Sequence, residues 1–189
     1  MKLAKYTLVG IYLVFFSAVL MLILNIIWSI TQYDNFDLMQ WLNYLIIGLN
    51  AAYNIVLAII NIINSIKLFR NNDYNSLRKY MKLIKLGAVP YFLVNFIFYF
   101  CLYTVGFILT LGLAIFSVIT PILITYLSVL YTSVYGIGFT ALLYKQKKLT
   151  AIQLLIHVLL QICFILDVIS TIILLVKNKP EKNLSIISP

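Results

Sequence analysis

Two side chains carry chemistry that their surroundings do not suit. Asp167 is the only acid inside an apolar run, and His157 is the chain's only histidine; both lie in Thr150–Lys177, TAIQLLIHVLLQICFILDVISTIILLVK. An aspartate at the centre of a membrane helix costs roughly 2.5–3.5 kcal/mol on insertion scales, so it is held against partners and is a functional suspect by default. On a helical wheel Gln153, His157, Gln161, Asp167 and Thr171 fall within about a third of the circumference, with Ile162, Leu166, Ile169 and Ile173 opposite. Two readings follow. Asp167 is either a titrating carboxylate of a proton or cation path with His157 as relay, or a neutral strut in a hydrogen-bonded core. Taking residues 67–86 as an extramembrane loop leaves no Lys or Arg deep in any span, so no countercharge is expected for Asp167.

A matching row comes from Asn43, Asn50, Asn54 and Asn61, which share one face to within about 40° at 100° per residue, with Asn64 about 60° away. Lipid satisfies no amide, so this row must meet another helix or trapped water. Tyr91, Asn95 and Tyr99 recur every four residues and supply a third polar face. The expectation is a polar seam of Asp167, His157, Gln153, Gln161, Asn50, Asn54, Asn61 and Asn95 between three spans. Ser128, Thr132, Gly136 and Thr140, also four apart, let a helix approach closely, either within the chain or across a homodimer.

The elements that hold these residues are read from long apolar runs. Of 189 residues, 63% are hydrophobic and 10% charged, well outside the soluble range. The expected fold is an all-α integral membrane bundle of about five transmembrane helices, one membrane domain over 1–189. Its spans are about 6–31, 42–66, 87–109, 120–144 and 150–177. Apolar–polar alternation is absent, so a barrel is not expected. The first run is too long for a signal peptide and lacks a cleavage site after it.

Charge sets the orientation. The net charge of +9 comes from clusters between apolar runs, a topology signal with no nucleic acid implied. The basic loop 67–86 is placed in the cytoplasm, facing anionic lipid headgroups, with Ser76 as N-cap of an amphipathic stretch or of a flank anchoring the next span. Lys2 and Lys5 put the N-terminus on that side, and Asp34 and Asp37 place the first connector outside. The fourth span opens at Thr120–Pro121, and 110–119 is a turn or a re-entrant element. Thr150 caps the fifth span. Five crossings put the polar tail 178–189 outside, although its Lys179 and Lys182 argue the reverse. Cys101 and Cys163 read as packing residues.

No paired-histidine zinc motif, Gly-x-Ser-x-Gly elbow, Walker loop or Cys-x-x-Cys is present, so no catalytic, cofactor or metal residues are assigned and no enzyme is expected. Three stretches, KYMKLIKLGAVPYFLVNFIFY at 79–99, TYLSVLYTSVYGI at 125–137 and IQLLIHVLLQICFILDVIST at 152–171, resemble an uncharacterised family of small multi-pass membrane proteins from low-GC Gram-positive bacteria. The resemblance implies a bacterial plasma membrane and no assigned activity. The leading expectation is a non-catalytic component or accessory subunit that binds other membrane proteins; the alternative is a small proton- or cation-linked transporter using Asp167 and His157.

Overall fold

The computed structural model describes residues 2–31, 36–109, 119–163 and 166–178, and they are helical throughout apart from short turns. The elements are α1 (Lys2–Thr31), α2 (Phe36–Arg70), α3 (Tyr74–Leu109), α4 (Ile119–Lys145), α5 (Ala151–Ile162) and α6 (Leu166–Lys177). The expectations for 32–35, 110–118, 164–165 and 179–189 fall outside the described residues. The first four helices are long and apolar enough to cross a membrane. Large apolar side chains such as Phe16, Leu49, Phe96 and Leu127 stay exposed along their outer faces, which suits a lipid surround.

The fifth expected span is not one helix. α5 stops at Ile162, where Cys163 takes an extended conformation (φ −89°, ψ 126°) and its N–H bonds back to Leu160 O. The chain then turns back. His157 Nδ1 lies 2.9 Å from Ser170 Oγ, 13 residues later; along a continuous helix those residues would stand roughly 20 Å apart at 1.5 Å per residue. Leu149, just before α5, shares a core cluster with Leu174 and Leu175 near the end of α6. The two helices therefore form an antiparallel hairpin. Each has 12 residues, about 18 Å of helix, which is short of the ~30 Å hydrocarbon core.

The basic segment is not a loop either. α2 runs to Arg70 and α3 starts at Tyr74, so only 71–73 separate them. Asn72 at φ 53° closes α2, with Asp73 N bonding Leu68 O and Asn72 N bonding Phe69 O, a Schellman ending in which Asn tolerates the left-handed region. Asp73, not Ser76, is the N-cap of α3: its Oδ1 accepts from Ser76 N at 3.0 Å. α4 ends the same way through Lys147 at φ 58°. Here Lys148 N bonds Leu143 O and Lys147 N bonds Tyr144 O.

These endings gather at one end of the bundle. Lys145 Nζ donates to Asn72 Oδ1 at 2.9 Å and stands over the Phe69 ring, while Lys148 stands over Tyr74. Ala4 packs in the cluster of Leu77, Met81, Ile84, Phe139 and Leu142. That places the start of α1, the α2–α3 turn, the α4–α5 turn and the end of α6 together. The described Lys and Arg residues other than Lys85 belong to these segments, whereas Asp37 is in the first turn of α2 at the opposite end. A second cluster of Ile11, Ala88, Tyr91, Phe92 and Val129 continues the core inward.

Candidate functional site: a buried ion pair at the hairpin apex

α3 begins thirteen residues before the expected third span, and this carries Lys85 into the interior. Leu77, Met81, Ile84 and Ala88 form the buried stripe of its first turns, and Lys85 lies about 40° from Met81 on the wheel. Its ammonium pairs with Asp167 Oδ2, and both side chains are about 1% exposed. The expected absence of a countercharge is thereby corrected, because the cation was hidden in residues read as a loop.

Four helices meet at this pair. Lys85 Nζ also donates to Ser133 Oγ of α4 at 2.7 Å. The Ser133 hydroxyl in turn reaches Gln161 O, one of the last carbonyls of α5, at 2.6 Å and its own Val129 O at 2.7 Å. Helix ends leave carbonyls without intrahelical partners, so Ser133 satisfies one at the apex where α5 stops. Asp167 sits in the first turn of α6, where a carboxylate also suits the positive end of the helix dipole. Lys85, Ser133, Gln161 and Asp167 lie 10–12 residues from the basic-end termini of their helices. At 1.5 Å per residue that is roughly 15–18 Å, one depth for all four.

Gln161 is held by a second set of contacts. Its Nε2 donates to Thr140 Oγ1 at 3.1 Å, and a Cβ added at Gly136 would come within 2.0 Å of its Oε1. Only glycine leaves that space. Ser128, Thr132, Gly136 and Thr140 are buried inside the chain, and the Gly136–Thr140 part receives α5. The row is thus covered by the protein's own helices and is not a free face for a second copy.

The base of the hairpin is latched to the same helix. Arg78 Nη2 donates to Leu175 O at 2.8 Å and Arg78 Nε to Asn178 O at 3.1 Å, and Tyr74 OH donates to Asn178 O at 2.6 Å. Arg78 and Lys85 are seven residues apart, two turns on one face of α3. They grip α6 at its C-terminal carbonyls and at its N-terminal carboxylate.

The other expected seam residues are distributed differently. Asn50 donates to Ser17 Oγ at 2.5 Å, and Asn54 Oδ1 accepts from Tyr131 OH at 3.2 Å. Asn61 is fully buried, donating to Thr7 Oγ1 at 2.8 Å and accepting from Tyr135 OH at 3.0 Å; Asn64 donates to Tyr135 OH at 2.8 Å. The asparagine row therefore fastens α2 to α1 and α4, not to the hairpin. Asn95 bonds Thr125 Oγ1 at 2.9 Å, joining α3 to α4. Gln153 belongs to a capping box with Thr150 at the start of α5. His157 meets Ser170, three residues beyond Asp167, and bridges the two arms of the hairpin. Cys101 and Cys163 are free and exposed, so neither packs in the core. Of the eight candidates, Gln161 and Asp167 come together at the apex; sequence reasoning missed Lys85, Ser133 and Arg78.

A family of unknown function, DUF6652, matches residues 2–180. The chain belongs to that family. The membership agrees with the expectation of an uncharacterised family. No curated protein and no solved structure matches the chain.

Proposed function

We propose that this DUF6652 protein is a non-catalytic membrane component that binds other membrane proteins, with the buried polar groups serving as struts. The observation that carries this reading is the Lys85–Asp167 pair. A titrating carboxylate was attractive because Asp167 lacked a countercharge; Lys85 supplies one, and Ser133 and Gln161 complete its neighbourhood. His157 bonds Ser170, not Asp167, so the two groups of the transporter reading serve separate contacts.

Orientation follows the same reasoning. Basic segments gathered at one end, with Asp37 at the other, support a cytoplasmic N-terminus and contacts between Lys67, Arg70, Lys79 or Lys82 and anionic headgroups. The resemblance in three stretches supports a bacterial plasma membrane. The test is made on full-length protein purified from membranes in mild detergent and reconstituted into liposomes. The expected result is a stoichiometric protein partner in the detergent eluate and proton flux no greater than that of empty liposomes. Flux in the parent that Asp167→Asn abolishes, with the fold intact, would reinstate a transporter and sink the component reading.

A further inference from the structure

We infer that the α5–α6 hairpin is re-entrant: it enters the membrane at the basic end, turns near the bilayer midplane and leaves on the side it entered. The inference rests on the membrane reading above and adds a path for α5 and α6.

Three independent observations carry it. The first is length: two antiparallel arms of 12 residues, about 18 Å each, cannot cross a hydrocarbon core of ~30 Å. Their outward faces are nonetheless greasy, with Ile152, Leu155 and Leu159 on α5 and Ile169, Ile173 and Val176 on α6 all exposed, so they require acyl chains. The second is the apex. Backbone that leaves helical form inside a bilayer is tolerated only where its polar groups find partners, and here Ser133 takes Gln161 O, Cys163 N–H donates to Leu160 O and Asp167 N–H donates to Cys163 O. The third is the base. Thr150 and Asn178 mark the two ends of the hairpin, and Asn178 O is held by Tyr74 and Arg78 at the first turns of α3.

The chain then crosses four times, an even number, so its C-terminal segment returns to the side of the N-terminus. This answers the charge conflict noted in the sequence: Lys177, the last described lysine, lies on the same side as the other basic clusters, as the positive-inside rule requires. The lipid contacts of the hairpin are confined to one leaflet, the one whose headgroups meet the basic end.

Single cysteines in the full-length chain, with Cys101 and Cys163 changed to Ser, test the path. A membrane-impermeant maleimide is applied to intact cells and then to permeabilised ones. Asn35→Cys should label in intact cells, whereas Gln146→Cys and Ser185→Cys should label only after permeabilisation. Labelling of Ser185→Cys together with Asn35→Cys would overturn the inference. Absence of the protein from the membrane fraction would overturn the membrane reading instead. A spin-label pair at Ile152→Cys and Val176→Cys in the reconstituted protein gives a second readout. Adjacent helix bases at 8–10 Å between axes predict about 10–20 Å between labels; a continuous helix predicts about 36 Å, and that value would exclude the hairpin in the bilayer.

Discussion

Changing Asp167 to Asn keeps the shape of the side chain and removes its charge, which leaves the Lys85 ammonium buried without its counterion. Breaking a buried pair from one side costs about 3–5 kcal/mol, because the remaining charge is uncompensated. Asp167→Asn should fall near the lower figure, since Lys85 keeps its bond to Ser133. Lys85→Met should fall near the upper one: Asp167 Oδ1 already lacks a hydrogen-bond partner, and Oδ2 would lose its own. Removing both charges together, as Lys85→Met with Asp167→Asn, should cost far less than the sum, since no uncompensated charge is then left buried. Unfolding in mixed micelles of mild detergent and dodecyl sulfate can follow this, read by energy transfer between dyes at Lys79→Cys on α3 and Val176→Cys on α6. The expected coupling between the two sites is on the order of 3 kcal/mol or more, about two decades in the unfolding constant. Single variants within about 0.5 kcal/mol of the parent, or a double variant at the sum of the singles, would refute the claim that the pair holds the hairpin.

Three further outcomes follow from the same geometry. Gly136→Ala should destabilise by about 1–3 kcal/mol, because the new methyl occupies the place of Gln161 Oε1, and Gln161→Ala in the same chain should recover part of that loss; Gly48→Ala, which meets nothing within 4 Å, should be neutral or slightly stabilising in the same micelle titration. Asn61→Ala should cost about 1–3 kcal/mol because the Tyr135 hydroxyl loses the acceptor for its proton, although Thr7 keeps Leu3 O and Tyr135 keeps the Asn64 amide, whereas Asn25→Ala, whose amide bonds Met21 O in its own exposed turn, should stay within about 0.5 kcal/mol. Arg78→Ala should speed amide hydrogen exchange selectively over the last turn of α6, and Arg78→Lys should restore little of the protection, because a point charge cannot serve the Leu175 and Asn178 carbonyls as the guanidinium fork does.

How far the sequence reached can be argued from particular residues. The four long helices were legible in their apolar runs, and the burial of Gln161 and Asp167 was legible because polar groups inside such runs must turn inward. The hairpin was not. Between Gln161 and Asp167 there is no Gly or Pro, so the wheel ran straight through the break. Lys179 and Lys182 are the sequence feature that argues against a fifth crossing. Lys85 escaped notice because a cluster of Lys and Arg reads as an interface, whereas its 40° offset from Met81 on the stripe of Leu77, Met81, Ile84 and Ala88 pointed to the core. The asparagine row shares a face by its periodicity, but a periodicity names a face and not the neighbour it meets. Its partners on α4 are the hydroxyls of Tyr131 and Tyr135, carried on large rings within an apolar run.

The separation of Lys85 from Asp167 also shapes how the chain comes to be built. They are 82 residues apart, so at a synthesis rate of ~5–20 residues per second the lysine waits about 4–16 s for its counterion. Ser133, 48 residues on, arrives sooner but brings no charge. A chain stopped before Asp167 retains α1 to α4 while lacking the carboxylate that pairs with Lys85.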